Sequence, residues 1–337
     1  MTNAIFLAAL VPMRCMLPAS PDESLPSIVF DSLFNHAREA SLYRENVNWD
    51  SLYPILAKQA AEAQSIEELA APFKAVLENL GDTHGRIYHN RQVLAHFTNG
   101  RKPHLQDFDP EIYQKIQWGQ SLPFTAKYLG DSIGYVRIVG LPPGDNQQMS
   151  KDIQDAVCTI QKQGVIKWIV DLRYNGGGNL FPMAEGIAHI LGEGDLGGAQ
   201  GLTEAEHGLW SFKNGDFYYD DYSVGLANDC SYEQNVPVAV LLSNYTASSG
   251  EALAVMLKDR PKTRFFGQES NGMITVTNYY PIAENTFATI SVSIYQDRSG
   301  KVYDQYVPVD QKTPFSLTEQ WEEDPGIQQA LEWLRKQ

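Results

Sequence analysis

The chain has 337 residues, 43% hydrophobic and 20% charged, enough apolar side chain for a sizeable core and too much for wholesale disorder. At about 150 residues per domain, that length fits two domains, or one large domain with an appended module. Twenty-six basic against 41 acidic residues leave a formal charge of −15, and so acidic a surface, with no basic stripe, argues against nucleic acid and anionic lipid as partners.

No run of about 20 apolar residues is present, so no membrane-spanning helix is expected. Cys15, Cys158 and Cys230 are odd in number and far apart. They read as ordinary thiols rather than a disulfide framework, and no C-x-x-C pair suggests zinc or another metal. Residues 4–13 (AIFLAALVPM) are long and apolar enough for the core of a secretory leader, and Pro18-Ala19-Ser20 follows, but no Lys or Arg precedes them. Two readings of the segment 1–26 stay open: a start lying upstream, or a first strand or helix of the fold.

Residues 27–85 carry a helical pattern. Val29 and Leu33, Leu52 and Leu56, then Leu69, Phe73, Val76 and Leu77 recur at spacings of three or four, as the buried face of a helical module requires. Asn48-Trp49-Asp50 marks a helix entry, Ser65 with Glu68 spells a capping box, and Gly81-Asp82 signals a turn. Residues 86–131 form a connecting region broken by Gly100, Pro103, Pro110 and Pro123.

From Ser132 the character changes. Residues 133–138 alternate like a strand, 149–162 form an amphipathic helix, and 166–172 are apolar enough for a buried strand. Asn175-Gly176-Gly177-Gly178 follows, then a helix over 181–191. This order predicts a layered α/β domain over 132–337. Residues 192–235, rich in Gly, Asp and Tyr, read as an insert of irregular hairpins. Strands at 236–242 and 263–266 flank a helix at 249–258. Alternating strands at 275–281 and 287–295 come next, and a helix at 326–336 closes the chain.

Three segments could carry chemistry. In VAVLLSNYTASSGEAL, residues 238–253, an apolar strand crosses a short polar turn and opens directly into a helix. A serine there stands among unpaired N–H groups at the positive end of a helix, where a developing oxyanion is favoured. The plainer reading is an N-cap by Thr246, Ser248 or Ser249. In WIVDLRYNGGGN, residues 168–179, three glycines after a buried strand allow close backbone approach and an anion-binding nest. A tight turn would also explain them, but no Gly-Lys-Ser/Thr follows to make a P-loop. In LENLGDTHGR, residues 77–86, His84 sits in a polar turn off any apolar stripe, a context that suits a general base.

Taken in order, Leu-Gly-Asp-Thr-His, Asp-Leu-Arg-Tyr-Asn-Gly-Gly-Gly, Asn-Tyr-Thr-Ala-Ser-Ser-Gly-Glu and Phe-Gly-Gln-Glu-Ser-Asn-Gly resemble the tail-specific (C-terminal processing) serine peptidase family, S41, over roughly residues 30–335. The resemblance implies an α/β (α+β) fold, a ClpP/crotonase-like layered ββα domain preceded by the small helical module. The family pattern Ser-Ala-Ser-Ala-Ser-Glu falls on Thr246 to Glu251. It implies Ser248 as nucleophile with Ser249 as runner-up, and an oxyanion hole from the amides of Ser249 and Gly177, with Gly176 and Gly178 as alternatives.

Two departures from the family pattern matter. The processing-protease branch carries its general-base lysine in a turn that here reads Asn271-Gly272-Met273-Ile274. Met273 accepts no proton, and Lys258 and Lys262 lie in or after the helix. The chain is thus similar to the branch that holds the tricorn core and the retinoid-binding modules, which implies His84 as base. It also implies an orienting acid near the C-terminal strand: Asp304, with Asp310 and Glu269 as alternatives. Only 49 residues separate His84 from Ile133, about half the length a PDZ domain needs, so none is expected.

The implied function is a serine peptidase that hydrolyses extended or unfolded polypeptide through an acyl-enzyme, with no metal or organic cofactor. The alternatives are a non-catalytic hydrophobic-ligand-binding protein on the same fold, and an enzyme acting on another acyl group. The resemblance favours a bacterial extracytoplasmic location over the cytoplasm.

Overall fold

The helical spacing, the buried apolar runs and the glycine turns each find a counterpart in the computed structural model. It describes residues 24–337 apart from 101, 106–107, 121, 227–234 and 319. The apolar stretch 4–13 lies outside the described residues, as do Cys15 and Cys230.

In chain order the elements are α1 (Leu25–Ala40), α2 (Trp49–Glu62), α3 (Ala70–Leu80), β1 (Arg86–His89), β2 (Gln92–His96), α4 (Pro110–Ile116), β3 (Thr125–Tyr128) and β4 (Ile133–Arg137). Then come α5 (Asn146–Gln161), β5 (Lys167–Asp171), α6 (Leu180–Gly186), α7 (Ala188–Leu191), β6 (Gly194–Gln200), β7 (Gly208–Lys213), β8 (Asp216–Tyr219) and β9 (Tyr222–Ser223). The last are β10 (Val238–Leu242), α8 (Ser249–Leu257), β11 (Thr263–Gly267), β12 (Thr275–Ala283), β13 (Thr286–Gln296), β14 (Gln311–Lys312) and α9 (Pro325–Arg335). The described chain divides into two compact units. One takes residues up to 102 with 201–206 and 275–294, and the other takes 103–200, 207–274 and 295–337.

In the first unit, α1, α2 and α3 bury the face that the spacing marked. Phe30, Leu33, Phe34, Leu56, Phe73, Val76 and Leu77 share one core with Ile87, Ala288 and Ile290. The helices are therefore completed by strands from distant sequence, in the antiparallel order β2–β1–β13–β12. Asn48 caps α2 by accepting the Ser51 N–H, and Gly81 ends α3 with φ at +77°, a conformation glycine adopts without strain. The capping box expected at Ser65 does not form. The Glu68 carboxylate accepts from the Gln64 N–H instead, and α3 starts after a 3-10 turn at Glu67–Leu69.

The second unit contains a six-stranded sheet in the order β14–β11–β10–β5–β4–β3, parallel from β14 to β4 and closed by antiparallel β3. β10 is buried throughout and β5 almost so, as their apolar runs predict for central parallel strands. α5 links β4 to β5, and α8 links β10 to β11. The predicted helix over 181–191 is broken at Ile187 into α6 and α7. The insert supplies the antiparallel strands β6 to β9.

Because β5 and β10 are parallel neighbours, with Asp171 opposite Leu241 in register, their C-terminal ends emerge side by side. The loops that follow carry the glycine run and the serine turn, so two motifs about 70 residues apart meet at one sheet edge, the position where open α/β sheets bind ligands. Below them Arg173 is clamped between Asp171 and Asp324 at 2.7 and 2.8 Å, which ties the N-terminus of α9 to the end of β5. Breaking such a buried pair by removing one partner costs about 3–5 kcal/mol. The expectation of ordinary thiols is corrected at Cys158, which is disulfide-bonded.

Candidate active site

The turn after β10 is built from its own side chains. Ser243 Oγ donates to the Arg173 carbonyl and accepts the Tyr245 N–H, while Thr246 Oγ1 donates to the Leu172 carbonyl and accepts the Ser243 N–H. These bonds fasten the turn to the end of β5 and leave Ser248 as the residue that enters α8. Ser248 has φ +52° and ψ −120°, a region that non-glycine residues occupy only when their surroundings impose it. Glu251, buried in the first turn of α8, imposes it. Its Oε2 accepts the Ser248 N–H at 2.9 Å and the Met273 N–H at 2.8 Å. Its Oε1 accepts the Gly272 N–H at 2.7 Å and the Ser270 hydroxyl at 2.5 Å. One carboxylate thus fixes both the serine and the 270–273 loop.

The glycine run lies against this serine. A β-carbon on Gly177 would sit 2.7 Å from Ser248 Cβ and 3.0 Å from the Ala247 carbonyl oxygen, and Gly177 has φ +99°. Asn175 joins the two loops by accepting the Ala247 N–H on its carbonyl at 2.9 Å and the Gly177 N–H on its side-chain oxygen at 2.9 Å. Ser249 Oγ donates to the Gly178 carbonyl at 2.7 Å. A β-carbon on Gly176 would meet the Tyr113 ring at 2.9 Å. Ser249 is the first residue of α8, where N–H groups have no intrahelical acceptor and the helix dipole is positive. Tyr295 is a buried phenol held above its ordinary pKa by burial and by Glu251, and its hydroxyl lies within reach of the Ser248 side chain.

In the first unit, His84 stands in the turn between α3 and β1. Its Nδ1 is 2.8 Å from Thr275 Oγ1. Burial pushes the imidazole down to about 4; Asp82 opposes that shift, and Arg86 and Lys102 add to it. A neutral imidazole with one nitrogen held is able to take a proton through the other.

The other candidates have these surroundings. Asp304 is exposed in a bend. Asp310 is exposed, and its Oδ2 accepts the Phe265 N–H at 2.8 Å on β11. Burial works against ionisation of Glu269, but the Lys312 ammonium at 2.7 Å holds its pKa below the ordinary value. Lys258 donates to the Pro308 carbonyl at 2.7 Å and lies over the Phe265 ring. It follows Ser248 by ten positions along α8, about 15 Å of helix rise. Among the described residues no cluster of His, Cys, Asp or Glu could hold a metal ion, and no helix is long and apolar enough to cross a membrane.

Sequence reasoning passed over Glu251, Tyr295, Thr275 and Ser291. Glu251 stood inside a quoted motif, but its reach to the 270–273 loop has no local signature. Asp82 was read only as a turn residue. It accepts the N–H groups of His84 and Gly85 at 3.1 and 2.8 Å.

Residues 132–312 match the family described as peptidase family S41. The chain is 25% identical over 198 residues to the nisin-resistance protein of Lactococcus lactis subsp. lactis, covering 58% of each. It is 29% identical over 172 residues to the chloroplastic C-terminal processing peptidase of Tetradesmus obliquus, covering 50% of this chain and 32% of that protein. The matches thus span less than two thirds of these relatives' lengths. In fold it is similar to a lipoprotein from Streptococcus agalactiae, with TM-score 0.68, 19% identity and coverage of 96% and 99% of the two chains. It is also similar to the photosystem II D1 C-terminal processing protease, with TM-score 0.55, 17% identity and coverage of 87% and 94%. The family match covers more than half of the chain, which belongs to peptidase family S41.

Proposed function

We propose that the chain is a serine peptidase in which Ser248 attacks a peptide carbonyl while His84 removes its proton. The single observation that carries this reading is the Ser248 backbone, held at φ +52° at the head of α8 by Glu251. Ser248 is also the N-cap of α8, in a capping box with Glu251, but a cap alone needs no such conformation, whereas a nucleophile presented at a strand-to-helix turn does. Attack places negative charge on the substrate oxygen. The Ser249 amide at the start of α8 and one amide of the glycine run hold that charge. Of these, the Gly177 N–H is engaged by Asn175, which favours a neighbouring glycine, Gly176 or Gly178, unless Asn175 releases it. Protonated His84 then returns its proton to the departing amine, leaving an acyl-enzyme on Ser248, and water resolves it by the reverse sequence.

Relatives named for C-terminal processing support an extended chain end as substrate. Incubation of the full chain with an unstructured peptide library, read by mass spectrometry, tests the reading. Cleavage that disappears in Ser248→Ala is expected. Ester or thioester turnover without peptide cleavage would point to another acyl group, and a ligand bound with no turnover of any kind to the binding-protein alternative.

A further inference from the structure

Among the described residues, His84 Nδ1 does not meet a carboxylate. It meets the Thr275 hydroxyl at 2.8 Å, Thr275 Oγ1 lies 2.9 Å from Ser291 Oγ, and Ser291 Oγ donates to Asp82 Oδ1 at 2.8 Å. Thr275 is 4% exposed, and Ser291 and Asp82 are fully buried, so no solvent competes for these bonds. All four residues belong to the first unit, where β12 and β13 pair beside β1.

The direction of each bond follows from counting protons. A hydroxyl has one proton to donate. That of Ser291 is committed to Asp82, so Ser291 accepts from Thr275. The Thr275 proton is then committed to Ser291, so Thr275 accepts from His84, and Nδ1 must carry a hydrogen. We propose that Asp82, acting through Ser291 and Thr275, fixes His84 as the Nδ1–H tautomer with Nε2 as the basic nitrogen, in place of an acid in direct contact with the imidazole.

Asp82 is well placed to anchor such a chain. Besides Ser291 Oγ it accepts the N–H groups of His84, Gly85 and Ser291, so it cannot turn away. A β-carbon at Gly85 would lie 2.7 Å from Asp82 Oδ2, so the carboxylate occupies space that only glycine leaves free. The charged and titratable groups around the chain are Asp82, Arg86 and Lys102 beside His84, with Tyr43 beside Asp82. The three relay members are positioning residues, because they act through His84 rather than on substrate.

This inference rests on His84 being the base, and its test separates the two claims. In the full chain, 15N-resolved NMR of the His84 ring at pH 7 is expected to show a protonated Nδ1 and a bare Nε2, whether or not the protein cleaves anything. A protonated Nε2 in the wild type overturns the relay. Thr275→Val keeps the shape of the side chain and removes the hydroxyl. Expected are loss of the single Nδ1–H tautomer and a fall of about 10²-fold or more in kcat with KM little changed. Thr275→Ser is expected to restore both, and Ser291→Ala to repeat the defect in milder form. An unchanged tautomer and kcat in folded Thr275→Val overturns the proposal. Should His84→Ala cleave as fast as wild type, the assignment of His84 as base fails, while the tautomer measurement still reports on the relay.

Discussion

The main-chain N–H of Ser248 donates to Glu251 Oε2 at 2.9 Å, and Met273 donates to the same oxygen at 2.8 Å. The Met273 amide is thus tied to the same carboxylate that shapes the Ser248 turn. Glu251→Gln replaces one acceptor with an amide nitrogen that faces donors. Because the site is buried, a loss of about 2–3 kcal/mol is expected. Chemical denaturation measures that loss, and the rate of Ser248 labelling should fall further than stability alone accounts for.

Gly177→Ala probes the meeting of the two loops. The new methyl would collide with Ser248 Cβ and the Ala247 carbonyl, and φ +99° disfavours any side chain. The expected cost is about 1–3 kcal/mol together with loss of activity. A folded, fully active Gly177→Ala would show that the loop is not held against Ser248. Thermal melts beside peptide turnover decide it.

The acid limb of the activity profile should follow His84. In the proposed mechanism only the neutral imidazole takes the serine proton, and burial places its pKa at about 4 rather than near 6.5. Activity is therefore expected to persist as pH falls through 6 and to decline only towards 4. The same depression has a stability consequence: the unfolded chain binds this proton from about 6.5 downwards and the folded one does not. The His84 contribution to stability is complete above that pH and is lost as pH falls towards 4. A kcat/KM profile with its acid limb near 6.5 would contradict the burial of the base.

A second buried group works in the opposite sense. Glu185 on α6 is pushed up to about 9 by burial and by Asp216, and its Oε2 accepts the Phe217 N–H at 2.6 Å. It is protonated in the fold at neutral pH and ionised in the unfolded chain. Its contribution to stability is therefore complete below about 4.5 and declines as pH rises towards 9. Glu185→Gln, which cannot ionise, should have a melting temperature that falls less than that of wild type between pH 6 and pH 9. Parallel slopes for the two proteins would count against a buried neutral acid there.

The serine turn was legible because its signals are local: a five-residue apolar strand, a polar turn and a cap within twenty positions. The parallel order of β5 and β10 then explains why the glycine run meets it. The relay behind His84 was not legible, since Thr275 and Ser291 lie 191 and 209 positions from their partners and each reads as an ordinary strand residue. Asp304, Asp310 and Glu269 come from the family resemblance alone, since no local pattern in the sequence marks an orienting acid. The alternation over 275–281 and 287–295 marked those strands, but nothing in it shows that they complete the core of α1 to α3, because a pairing across such distances leaves no local signature.

The most direct test of the account is site-mapped labelling of the full chain with a fluorophosphonate, followed by peptide mass spectrometry. A single adduct on Ser248 is predicted, formed at pH 7, abolished in Ser248→Ala and slowed about 10²-fold or more in His84→Ala. An adduct on Ser249 alone, or no adduct on folded protein, would contradict it.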